Sequence, residues 1–250
     1  MSIFVYRSVE NNLKPAHKVE HYKTIAPPSI ALCCHYCKPE QTRTALESLL
    51  KFNPRIKRIV LVDTSEAQDA PKDIPMCTML SMPNGLHSDG VNFGLKHIQR
   101  THTRAKDKRV LLIDSDVEFT AAIPDVPEAT LAGKVIDKRK RERGWLSSNP
   151  RIHPCFCVID FGFLREHGIQ FMDWSRISDD NKLLLGHDPK TEVLANPEFQ
   201  KAKERQYATN GPAWYDVGGT MYEDVEKAGG VIVDFDWGGF MKHLGGGSWR

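Results

Sequence analysis

No stretch of this 250-residue chain stays apolar for long enough to span a bilayer, so no transmembrane segment is expected. The first residues, Met1-Ser-Ile-Phe-Val-Tyr-Arg7, lack the apolar core of a secretion signal, and a cytoplasmic protein is the expectation. An excess of one charge is also missing. The 34 basic and 32 acidic residues leave a net charge of +2, too balanced to argue by itself for nucleic-acid binding. Cysteine is scarce, and six in a chain of this size do not make a disulfide framework. Cys34-His-Tyr-Cys37 has metal-like spacing, and Cys155-Phe-Cys157 would have to complete a four-sulfur site. Zinc pairs, however, usually space both halves by two or more residues. These cysteines sit in apolar, strand-like runs, where free thiols behave as small hydrophobes. No internal repeat is visible. The remaining picture, 40% hydrophobic and 26% charged residues, is an ordinary globular chain able to bury a sizeable core.

Periodicity then orders the first half. Residues 1–28 carry scattered charge with little pattern and read as an arm ending at Pro27-Pro28. Ser29 to Cys34 reads as a buried strand, and Glu40 to Phe52 as a helix with apolar residues at 45, 46, 49, 50 and 52. Ile56 to Val62 is a second strand ending in Asp63-Thr64-Ser65, and Cys77 to Leu80 a short third. A turn-rich loop, Asn84 to Gly90, leads into an amphipathic helix from about Val91 to Thr101. Val110 to Ile113 is a fourth strand. This alternation predicts a largely parallel α/β sheet with helices on both faces. Later elements are a strand over 156–161, a polar excursion over 172–206 with short helices, a helix over 217–228 and a strand over 231–235. The glycine-rich tail from Gly238 to Arg250 is expected to be mobile until something binds it.

The strand Val110–Ile113 ends in Asp114-Ser-Asp116. In open α/β sheets, ligands bind beyond the carboxyl ends of the strands. Two acids at i and i+2 can converge there on a hard divalent cation, Mn2+ or Mg2+, of the kind that neutralises a diphosphate. The other strand ends present His35 and Tyr36, Asp63 with Thr64 and Ser65, and Ser81. A parallel sheet puts all of them on one rim.

Five segments resemble the GT-A glycosyltransferases, particularly the large inverting group that uses nucleotide-diphosphate sugars. They are the first strand and helix, Val60-Leu-Val-Asp-Thr-Ser65, Asp89-Gly-Val-Asn-Phe-Gly-Leu95, Asp114-Ser-Asp116 and, more loosely, Tyr215 to Gly229. The resemblance implies a GT-A-type α/β fold in one domain. After the arm it would have a nucleotide-sugar-binding half over 29–120 and a smaller, mixed acceptor-side half over 121–250. It implies a donor pocket of His35, Tyr36, Asp63, Ser65, Asn92 and Asp114, with Asp63 on the uracil or ribose of a UDP-sugar. Asp116 would ligate the metal, Asp114 would stand on the ribose or sugar side as well as in the metal set, and His243 would be the third ligand. Inverting transfer of a hexosyl or pentosyl group also needs a carboxylate to take the acceptor proton. Asp216 is the choice over Glu223 and Asp224, because it stands just before the helix. The family usually pairs Glu and Asp there, where this chain has Tyr215-Asp216.

The acceptor is a glycan or another hydroxyl-bearing molecule. The basic run Lys138 to Arg143, with Trp145, His153, Trp174 and Trp214, also leaves room for a modified DNA base. Two rival enzymes remain. A phosphohydrolase of the haloacid-dehalogenase type also sets Asp-x-Asp after a strand, but it opens the domain with that motif and has Thr or Val where Glu118 stands. A nucleotidyltransferase would need a glycine-rich loop after the first strand, and Cys33-Cys-His-Tyr-Cys-Lys38 contains no glycine. A non-catalytic binding module that keeps a metal for structure is the third alternative.

Overall fold

The structure is a computed structural model that describes residues 4–6, 16–18, 23–36, 38–102, 108–138, 148–184, 196–198, 201–202, 204, 215 and 217–245. Its centre is a parallel block of β4 (Ile30–His35), β5 (Arg58–Asp63), β6 (Cys77–Ser81) and β7 (Arg109–Asp114). These strands lie in the spatial order β6-β5-β4-β7. Counted along this half the order is 3-2-1-4, the start of a doubly wound nucleotide-binding sheet. Alternate strand residues face opposite sides. Ala31, Cys33, Ile59 and Leu61 meet Ala45, Leu46 and Leu49 of α1 (Pro39–Phe52). Leu32, Cys34, Val60 and Val62 meet Val91, Leu95 and Ile98 of α2 (His87–Thr101) on the other face. The apolar runs are continuous because both faces are covered.

The approach of α2 depends on small residues. A Cβ on Gly94 would lie 2.3 Å from Leu32 Cδ1 and 3.1 Å from Val62 Cγ2. Leu32 is fully buried and has nowhere to move. Gly94→Ala is therefore expected to destabilise by about 1–3 kcal/mol, read as a lower midpoint in urea unfolding. An unchanged midpoint would mean that the helix shifts freely.

Beyond β7 the sheet becomes mixed. β11 (Ser148–Asp160) runs antiparallel to β7, β10 (Leu131–Lys138) antiparallel to β11, and β12 (Ile232–Asp234) parallel to β10. The arm closes this edge. β1 (Phe4–Tyr6) pairs antiparallel with β12, and β2 (Ala16–Lys18) with β1, which brings this sheet to nine strands among the described residues. A further short strand, β3 (Thr24–Ile25), pairs with β9 (Val126–Pro127). The expected α/β sheet with helices on both faces and a mixed region at one side is present.

Element boundaries differ from the periodic pattern where polar residues take capping roles. α2 starts at His87 rather than Val91, and Asp89 of its first turn accepts from the Leu86 N–H at 3.4 Å. The strand expected to reach Phe161 stops at Asp160, whose carboxylate accepts from Phe163 N–H at 3.0 Å and opens α3 (Phe161–Glu166). The polar excursion contains a 3₁₀ turn (Trp174–Arg176) and α4 (Asp179–Leu184), and α5 (Gly219–Lys227) follows. The tail departs furthest from expectation. β13 (Met241–His243) pairs antiparallel with β8 (Val117–Phe119), with His243 opposite Val117. Phe240 and Met241 are buried, so this part of the tail is anchored by backbone pairing and apolar contact. No helix among the described residues is long and apolar enough to cross a membrane.

Candidate active site

The parallel register brings the polar strand ends together. His35 lies opposite Asp63, Asp63 opposite Ser81, and Cys34 opposite Asp114. Asp114 closes β7, and the turn at Ser115-Asp116 leads into β8. Because β13 is laid along β8, His243 is carried to the same place, and Leu244 N–H donates to the Asp116 carbonyl at 2.7 Å. The ligating atoms of Asp114, Asp116 and His243 all lie within 4.8 Å of one another. Asp116 is 1% exposed, and its Oδ1 is 3.2 Å from His243 Nε2. That contact raises the His243 pKa above the ordinary imidazole value; burial opposes the shift, and the charges of Asp116 and Asp114 add to it.

Asp114 makes a parallel contact with a second imidazole. Its Oδ1 is 3.1 Å from His87 Nε2, yet the two are not aligned as a hydrogen bond, and both atoms are buried without a hydrogen-bond partner. A buried, unsatisfied carboxylate oxygen is costly unless a cation or donor meets it. Two carboxylates and an imidazole make a donor set that suits Mn2+, with Mg2+ favouring the oxygens. The residues present therefore fit a divalent ion.

On the other side of β4, a cavity of about 370 Å3 opens at the ends of β4 and β5, lined by Tyr36, Thr64, Ser65, Glu66, Ala67, Asp69 and Asn84. Tyr36 and Ser65 thus face the space expected for a donor. His35 and Asp63 stand behind it. His35 is fully buried, 2.7 Å from Thr42 Oγ1 through Nδ1 and 2.9 Å from Asp69 Oδ1 through Nε2. Asp63 Oδ1 accepts from Ser65 N–H (3.0 Å) and Oγ–H (2.6 Å), and its Oδ2 accepts from Ala70 N–H at 3.0 Å. The Asp63 carboxylate shapes the loop that walls the cavity. Asp69, exposed on that loop, and Glu66 supply carboxylates that line the space.

Asn92 is tied elsewhere. Its Oδ1 accepts from Phe171 N–H at 2.8 Å, and its Nδ2 donates to the Met172 carbonyl at 2.8 Å, stitching α2 to a segment 80 residues away. It borders a second cavity of about 670 Å3, which Asp89, Phe93, Phe171 and Trp174 also line. Trp174 donates its indole N–H to Asp89 at 2.6 Å.

Among the three candidate bases, Asp216 lies outside the described residues. Glu223 and Asp224 on α5 are both engaged by Arg176: Nη1 donates to Asp224 at 2.5 Å and Nη2 to Glu223. Glu223 also accepts from the Tyr215 hydroxyl and Lys227, each at 2.5 Å. Burial pushes the Glu223 pKa up, but the bonds from Lys227 and Tyr215 and the charges of Arg176 and Lys227 outweigh it and leave it lowered. A carboxylate with a depressed pKa is a poor proton acceptor. By linkage, its partners stabilise the fold above the unfolded glutamate pKa of about 4.3, and that stability is lost as pH falls through the lower folded value. The melting-temperature gap between wild type and Glu223→Gln is expected at neutral pH and should vanish in acid. A pH-independent gap would mean that packing, not charge, holds Glu223. Trp145, Trp214 and the basic run beyond Lys138 lie outside the described residues.

The parallel block, the mixed block and the acidic rim together decide the architecture. The fold is an α/β sheet, parallel through β6-β5-β4-β7 and mixed beyond β7, with helices on both faces. No protein-family model and no curated protein sequence matches the chain. Among the solved structures similar to it are two sugar transferases. One is the mannosyltransferase PcManGT from Pyrobaculum calidifontis in complex with GDP-Man and Mn2+, at 14% identity and a TM-score of 0.40, covering 66% of this chain. The chain spans 56% of that protein's length. The other is the galactosyltransferase LgtC in complex with donor and acceptor sugar analogs, at 12% identity and a TM-score of 0.41, covering 81% of this chain and 72% of the other.

At this rim, local sequence pattern does not single out His87 or Asp69, and it does not pair His153 with Cys155. His87 falls in an apparent turn because α2 begins before its apolar period does. Asp69 lies in an irregular loop, and the neighbouring Gln68 adopts a left-handed φ of 51°. The Gln68 side-chain amide donates to the carbonyls of Asp63 (3.2 Å) and Ser65 (2.6 Å), which returns the loop to the rim. Neither His87 nor Asp69 carries a local signal of its position.

Proposed function

We propose that the chain is a metal-dependent glycosyltransferase that moves a hexosyl or pentosyl group from a nucleotide-diphosphate sugar, of the UDP type, to an acceptor hydroxyl with inversion. The reading is carried by the convergence of Asp114, Asp116 and His243 at the carboxyl rim of a parallel sheet. The cavity at Tyr36, Thr64 and Ser65 lies one to two strand positions from Asp114, about 5–10 Å, within reach of a nucleoside diphosphate. Asp114, Asp116 and His243 would hold Mn2+ or Mg2+. Such a cation supplies Lewis-acid stabilisation of the departing diphosphate. Tyr36 offers a ring face to the base and Ser65 a hydroxyl to the nucleoside. The first turn of α2 brings His87 to the same rim, with its Nε2 3.1 Å from Asp114 Oδ1. The acceptor oxygen bonds to the anomeric carbon as the carbon–diphosphate bond breaks, and Asp216 takes the acceptor proton. The acceptor is a glycan or another hydroxyl-bearing molecule.

The test is a thermal-shift screen of nucleotide sugars with and without manganese, followed by assay of manganese-dependent release of nucleoside diphosphate. A ligand at 100 times its Kd should stabilise by about 2.7 kcal/mol. Asp116→Ala should abolish the manganese-dependent shift. Release of inorganic phosphate from a monoester would favour a phosphohydrolase instead, and silence in both assays a binding module.

A further inference from the structure

We propose that Asp114, His153 and Cys155 form a second cation site, suited to a softer, zinc-class divalent ion. It goes beyond the transferase reading and shares only Asp114 with it. The carboxylate of Asp114, the imidazole of His153 and the Cys155 thiol bring ligating atoms within 4.8 Å of one another. β11 runs antiparallel to β7 and pairs Phe156 with Ile113, which delivers His153 and Cys155 alongside Asp114. An irregularity between Gly133 and Val135 of β10 takes up the extra residues of β11 from Ile152 to Cys157. Such bulges re-aim side chains.

The donor types select the ion. Carboxylate, imidazole and thiol are ligands of zinc and cobalt, and Mg2+ discriminates against sulfur. Cys155 Sγ lies 3.9 Å from His153 Nε2. Tetrahedral legs of about 2.3 Å to sulfur and 2.0–2.1 Å to nitrogen call for roughly 3.6 Å, a small adjustment. Without an ion the thiol makes a 2.6 Å contact with Nδ1 of the same ring. Cys155 is fully buried, and burial raises its pKa, as do the charges of Asp114 and Asp116. Ion binding forms the metal–sulfur bond and releases the thiol proton to water, since a coordinating thiol is deprotonated outright.

Two further observations point to this place. Asp114 Oδ1 is a buried carboxylate oxygen without a hydrogen-bond partner, on a side chain only 8% exposed. Trp237 packs against the His153 ring at 5.4 Å and His243 at 5.6 Å, fixing the imidazole from two sides. A comparable grouping, His35, Asp63 and Asp69, is consumed by hydrogen bonds to Thr42, Ser65 and Ala70. Cys33, Cys34 and Cys157 are core thiols in apolar clusters. Cys155 alone among the described cysteines has this polar company.

Cobalt titration of the full, reduced chain tests the site. One equivalent should produce a near-ultraviolet sulfur-to-cobalt charge-transfer band. Cys155→Ser should abolish the band, Cys157→Ser should keep it, and His153→Gln should weaken cobalt binding about tenfold or more. No band in the wild-type chain, or a band that survives Cys155→Ser, overturns the proposal. Should Cys155→Ser fail to fold, alkylation decides the same question: zinc should protect one thiol in the wild type and none in His153→Gln. Asp116→Ala separates the two readings: the band persists in it while manganese-dependent transfer is lost. Transfer without a band defeats this site alone, and a band without transfer defeats the transferase alone.

Discussion

Asp114→Asn is expected to make the ion-free protein more stable and, at the same time, indifferent to manganese. The two effects have opposite signs because, in the proposed function, Asp114 would serve an ion at the expense of the fold. Its side chain is 8% exposed, and its Oδ1 has no hydrogen-bond partner. The facing imidazole nitrogen, His87 Nε2 at 3.1 Å, is not aligned to donate. Asp116 is equally buried in the same cluster, so two carboxylates share one small volume. Removing one charge should stabilise the ion-free chain by about 1–2 kcal/mol, or roughly 2–8 °C in Tm at this size. The wild type should gain about 2.7 kcal/mol from manganese at 100 times its Kd, and the variant almost none. Differential scanning calorimetry with chelator and then with manganese reads both. A lower ion-free Tm in Asp114→Asn would mean that the carboxylate is paired with His87 for structure, and the transferase reading would lose its main support.

Asp216→Asn is expected to cost roughly 10²–10⁴ in the rate of transfer while leaving the manganese-dependent thermal shift intact. The rival carboxylates are already engaged. Arg176 bonds to both Glu223 and Asp224, and Lys227 and Tyr215 hold Glu223 as well. Those partners keep Glu223 ionised at low pH and make it a weak base. Glu223→Gln should therefore reduce transfer far less than Asp216→Asn. Single-turnover kinetics under saturating donor and manganese measure the difference. Equal losses in the two variants would transfer the role to Glu223, and a normal rate in Asp216→Asn would place the base on another residue.

The legible part of this protein was short-range. The runs ending at His35, Asp63 and Asp114 announce buried strands because apolar side chains must be continuous where both faces are covered. Their polar ends then fall on one rim through parallel register alone. Asn92 shows where local reading fails. Its place in a glycine-containing helix start resembles a donor-site motif, yet its amide is committed to the backbone of Phe171 and Met172. Asp63 likewise stands at the expected strand end, but its oxygens turn inward to Ser65 and Ala70.

The sequence by itself determined the α/β class, the parallel block and the acidic pair at its edge, because each follows from the period of neighbouring residues. Only the tertiary structure decided that β13 delivers His243 to Asp116, that β11 delivers His153 and Cys155 to Asp114, and that Arg176 occupies Glu223 and Asp224. Those partners are separated by tens of residues along the chain, and backbone pairing and packing, which have no local signature, bring them together.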